Sequence, residues 1–148
     1  MKKLIYTFLA ASIIFVGCKK EEEEKASIVG TWTPNSADIK MTVKATVMGF
    51  ESTVSDTSFT MLPSDMGIDG DMEFTADGYT LEDGDTTGTY TYSGNQLILT
   101  DEDGDSETAT AVVTSTSLTV TLEETEVNGD ANNNSTIITK MTLNCTRK

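Results

Sequence analysis

The chain has 148 residues, with 24 acidic against 10 basic side chains, no histidine, two cysteines and a formal net charge of −14. Such an acidic surface repels phosphate backbones, which excludes nucleic-acid binding. The lack of histidine excludes the Ser-His-Asp and Cys-His catalytic arrangements and the cysteine–histidine zinc clusters.

The first segment is built for export. Met1-Lys2-Lys3 is basic, residues 4–16 are apolar, and the small Gly17 precedes Cys18. A positive start, an apolar core of about 7–15 residues and a small-residue cleavage site make a secretory signal peptide. The run is too short to span a bilayer, which takes about 20 residues. Residues 1–17 are therefore expected to be a removed signal. Phe15-Val16-Gly17-Cys18 resembles the lipobox of bacterial lipoproteins, with Phe15 where Leu is usual. That resemblance implies cleavage before Cys18 and acylation, palmitate included, of its sulfur and new amino terminus. Two acyl chains on one residue already anchor stably.

Lys19-Lys20-Glu21-Glu22-Glu23-Glu24-Lys25 holds no apolar residue, so residues 18–26 are expected to be a lipidated cysteine and a solvated tether. A basic pair followed by an acidic run resembles the surface-export signal of some Gram-negative lipoproteins. The resemblance implies an outer-membrane lipid as the anchoring partner through Cys18. The expected location is the cell surface, with the periplasmic face of the outer membrane as the alternative.

Residues 27–148 form the expected domain. Residues 28–33 read as a short strand broken by Pro34-Asn35-Ser36. Residues 38–49 alternate, placing Met41, Val43, Ala45 and Val47 on one face. Residues 52–62 read as a weaker strand, and residues 63–70 as a loop. Residues 71–75 put Met72 and Phe74 together, and Asp77-Gly78 marks a tight turn before Tyr79 and Leu81. Residues 87–92, 96–100 and 107–114 follow as strands, carrying Tyr90 and Tyr92, then Leu97 and Leu99, then Ala109, Ala111 and Val113 on one face each. Leu118, Val120 and Leu122 alternate strictly. Residues 126–134 read as a polar loop, and residues 136–146 as a last strand with Met141, Leu143 and Cys145 inward.

Short alternating strands joined by tight turns make an all-β fold. An open sheet of this size would leave aggregation-prone edges, and closure removes them. The expected architecture is an up-and-down antiparallel β-barrel of about eight strands.

Ile28-Val29-Gly30-Thr31-Trp32 heads the domain with the only tryptophan, and Arg147, the only arginine, ends the last strand. In a closed meander the first and last strands are neighbours. Gly30, Trp32 and Arg147 are therefore expected to close one end of the barrel, with the guanidinium stacked on the indole. This arrangement resembles the lipocalins and the wider calycin group, closest to the lipocalin-like domains of Gram-negative surface lipoproteins. The Phe74…Asp77-Gly78 hairpin and the Thr142…Thr146-Arg147 end add to the likeness. The Thr-Asp-Tyr turn and the disulfide of transport lipocalins are missing. The resemblance implies a lipocalin-like barrel that binds a small apolar or amphipathic molecule. The residues expected to line it are Phe74, Tyr79, Tyr90, Tyr92, Leu97, Leu99, Val113, Leu118, Val120, Met141 and Leu143. The alternative is a filled barrel acting as a structural or protein-interaction module.

Glu82-Asp83-Gly84-Asp85 and Asp101-Glu102-Asp103-Gly104-Asp105 are the densest acidic spots. The second begins like a calcium loop but is too short and lacks the downstream glutamate. Both read as solvated hairpin tips, where carboxylates lack the shielding that catalysis demands. No catalytic residue, metal site or cofactor is expected.

Overall fold

The computed structural model describes residues 26–81, 86–130 and 132–148. The signal segment, Cys18, the tether and the acidic stretch at residues 82–85 lie outside the described residues. The described strands are β1 (Gly30–Val47), β2 (Phe50–Met61), β3 (Met72–Phe74), β4 (Tyr79–Leu81), β5 (Thr86–Ser93), β6 (Gln96–Asp101), β7 (Ser106–Val113), β8 (Ser117–Gly129) and β9 (Asn133–Arg147). One 3-10 turn, Pro63–Met66, interrupts them.

Every pairing is antiparallel, and the sheet closes where β9 returns to β1. β2 and β3 share one edge of β1, β2 along Ala37 to Val47 and β3 along Gly30 to Trp32. They thus fill one position in the wall, and the barrel has eight. The up-and-down barrel expected from the alternation is the observed fold.

Three local expectations are corrected. The two segments on either side of Pro34 are one strand, β1. The register against β9 shifts between Pro34 and Ser36, so the chain absorbs Asn35 as a bulge and does not break. Pro34 is tolerated because it falls between the end of the β3 pairing at Trp32 and the start of the β2 pairing at Ala37, where no neighbour on that edge asks for its missing N–H. The polar stretch 126–134 is mostly strand, since β8 runs to Gly129 and β9 begins at Asn133. Pairing along β9 overrides the low strand preference of asparagine there. The turn at Asp77-Gly78 is not of the positive-φ type: the threonine before it holds it, with the Asp77 and Gly78 N–H groups donating to Thr75 Oγ1 at 3.3 and 3.1 Å. Gly78 is needed for space, because a Cβ there would sit 2.3 Å from the Gly88 carbonyl oxygen.

The core fills the lower half of the barrel. Trp32, Phe74, Leu97 and Leu118 are its largest fully buried side chains. Met66 and Ile68, in and after the 3-10 turn, pack against it from the gap between β2 and β3.

Candidate functional site

Alternation of direction puts the start of β1, the turns after β3, β5 and β7, and Arg147 at one end of the barrel. The turns after β1, β6 and β8 lie at the other. The first end is closed. The Arg147 guanidinium carbon lies 4.3 Å from the centroid of the Trp32 ring. Its terminal nitrogens donate to the carbonyls of Val29 (3.1 Å) and Ser27 (2.7 Å), and the buried indole N–H donates to Ile28 (2.8 Å). Gly30 leaves room for this plug: its φ is 143°, and a Cβ would meet an Arg147 nitrogen at 2.9 Å. Asp71 accepts from Lys148 Nζ and from the Thr33 hydroxyl at the same end, and these bonds hold its carboxyl below the ordinary carboxylate range.

The other end is open and lopsided. β1, β2, β8 and β9 have 18, 12, 13 and 15 residues, whereas β4, β5, β6 and β7 have 3, 8, 6 and 8. The β7–β8 ladder ends at Thr110 and Thr121, so the upper half of β8 leaves β7. The long strands continue as one wall, β2-β1-β9-β8. Its inner face follows by alternation from the buried Ala37, Leu143 and Leu118: Ile39, Met41 and Val43 on β1, Met141 and Ile137 on β9, Leu122 on β8. Phe59 and Phe50 join them from β2, opposite Ile39 and Val47. The face is uncovered: Met41 is 39%, Phe59 47%, Val47 60% and Phe50 81% exposed. The outer face is mostly polar, with Ile138 and Val127 as apolar exceptions, and carries the ion pairs Lys40–Asp56 (3.3 Å) and Lys44–Glu51 (2.9 Å).

The residues expected to line a ligand divide between two levels. Phe74, Tyr79, Leu97, Leu118 and Leu143 are buried in the core. Tyr90, Tyr92, Leu99, Val113 and Val120 are half-buried against it, and Met141 stands higher, on the long wall. The Tyr90 hydroxyl donates to the Thr75 carbonyl (2.8 Å) and that of Tyr92 to Ala111 (3.4 Å), so both donors are spent on main chain. Cys145 is buried, and burial pushes its thiol up to about 12, which leaves it inert at neutral pH.

Above the core, on the short side, an open cleft of about 300 Å³ has Tyr79, Leu81 and Leu99 as its floor and Asp101, Asp105 and Glu107 on its rim. Asp101 and Glu107 share the inward face of Leu97 and Leu99. Burial raises the Tyr79 phenol, and the nearby charges of Asp101 and Glu107 raise it further. On β8 the inward parity of Leu118, Val120 and Leu122 continues to Glu124 and Glu126. The sequence alone did not single out Ile39, Phe50 and Phe59 as site residues; it gave Asp101 and Asp105 as a solvated tip, Glu107 as the start of a strand and Glu126 as part of a polar loop. Their parity with Leu99 and Leu122 was the available signal.

A lipocalin-like domain family matches residues 28–121. No curated protein and no solved structure matches the chain. The match spans the Gly30-Thr31-Trp32 start and the strands up to the middle of β8, and the barrel is of the ligand-binding type. The chain belongs to the lipocalin-like domain family.

Proposed function

We propose that this is a non-catalytic lipoprotein of the outer membrane, exposed at the cell surface, that captures a small apolar or amphipathic molecule at its open end. One observation carries the binding reading. The apolar inner face of the long wall continues the barrel interior and is left uncovered, with Phe59 and Met41 nearly half exposed. Apolar surface in a concave setting with few polar groups is the usual ground of small-molecule binding. The packed lower barrel leaves the upper half as the place for the ligand.

The anchor reading rests on Gly17-Cys18 and the charged residues after it. Residues 27–29 meet Arg147 at the closed end, so a tether from Cys18 joins the barrel there. Labelled palmitate should enter the wild type and not a Cys18→Ala variant; equal labelling refutes the anchor.

Native mass spectrometry of the protein taken from its own bacterium tests the binding reading. The expected result is a retained small molecule, lost in Phe59→Asp with little change in melting temperature. Repeated absence of one favours the interaction module instead. That reading draws on β2, whose outer edge has no partner strand among the described residues over Phe50–Met61, a platform for adding a partner's strand.

A further inference from the structure

Taking the open end as the binding site, we propose that its ligand carries a positive charge: an apolar amine or quaternary ammonium compound, and not a fatty-acid-like anion. The argument is a segregation of charge. Five cationic side chains lie among the described residues: Lys40, Lys44, Lys140, Arg147 and Lys148. Lys40, Lys44 and Lys140 alternate with Ile39, Val43 and Met141 and so stand on the outer face of the long wall. Arg147 and Lys148 hold the closed end, bonded to Ser27, Val29 and Asp71. None of the five faces the open end.

The inward positions there are acidic instead. Asp101 and Glu107 border the Tyr79–Leu81–Leu99 floor, and Glu124 and Glu126 follow Leu122 on the inward side of β8. Asp101 accepts the Asp105 N–H, and Glu126 accepts from Asn128, so these two carboxylates are met by N–H dipoles, with no cation on the inward face among the described residues. The apolar wall supplies the binding area, and the carboxylates select the head group. Beside a low-dielectric wall their field is focused into the opening. An anionic head would lose water against like charges with no counter-ion. A cationic head would meet charges already in place.

The test uses the full chain in phosphatidylcholine nanodiscs, with empty discs as the baseline. Binding of phenylbutylammonium, phenylbutanol and phenylbutyrate is measured by equilibrium dialysis. The ammonium compound should bind at least about tenfold more tightly than the carboxylate, with the alcohol between, and added salt should narrow the gap. E107Q/E124Q/E126Q, which keeps only Asp101 of the four inward carboxylates, should shrink the ammonium-to-carboxylate preference severalfold, with alcohol binding measured alongside as the reading of the site itself. E73Q/D77N/E123Q makes the same change of charge on outward or closed-end positions and should keep the preference. Equal affinities, or a preference undiminished in the first variant, overturn the charge assignment while the open end stands as a site. Failure of all three probes, the alcohol included, removes the site itself.

Discussion

Arg147 does three things with one side chain. It covers the Trp32 ring, donates to two carbonyls of the incoming chain, and packs against a glycine that has no Cβ to obstruct it. A guanidinium on an indole contributes about 0.5–2 kcal/mol, and each hydrogen bond about 1 kcal/mol more. Arg147→Ala is expected to lower the melting temperature by several degrees and to shift Trp32 emission; an unchanged spectrum and melting point would show that the plug carries no stability. Cys145 makes a different kind of prediction. Its thiol is raised in the fold, so the native state holds its proton where the unfolded chain has lost it. Its contribution to stability is fully present below the ordinary thiol pKa and is lost as pH rises toward about 12. A thiol reagent at neutral pH should label Cys145 only after denaturant is added; rapid labelling of the native protein would contradict its burial.

Among the elements, the β3–β4 hairpin shows how little local sequence decides alone. Asp77-Gly78 has the composition of a positive-φ hairpin turn, yet Thr75 builds it otherwise: its hydroxyl caps two N–H groups, and its own N–H donates to the Gly78 carbonyl at 2.8 Å. Thr75→Ala removes the cap and should cost about 1 kcal/mol of unfolding free energy in a denaturant titration, while Asp77→Ala should cost less. The reverse order would restore the simple Asp-Gly turn. The β1–β2 turn is the converse case. Met48 and Gly49 have φ of 53° and 81°, and their N–H groups bond to Asn133 and Asn132 of the neighbouring hairpin connection. Nothing in Met48 announces a left-handed residue. The neighbouring hairpin holds it there, so the two long hairpins are tied at their tips.

At the scale of the whole molecule, closure was legible and lopsidedness was not. Alternation from Met72 to Leu122 was enough to read a meander, and Trp32 and Arg147 at the two ends of the domain marked where it would close. The heights of the walls depend on how far β8 and β9 stay paired through Asn-rich sequence, and that depends on the partner strand rather than on the residues themselves. The same dependence hid the acidic lining of the opening. A glutamate after a hydrophobic strand looks solvated until the strand is seen to run on with its parity unbroken.

The amino-acid order by itself determined the period-two patterning, the class of fold, the family, and the pair of residues that shuts the barrel's lower end, because each of these is a property of side-chain type and spacing along the chain. Tertiary structure alone decided which strands outgrow the barrel, which apolar residues stay uncovered, and on which side of the wall each charge falls. Those follow from register between strands distant in sequence, and a shift of one residue would send every side chain of a strand to the opposite face.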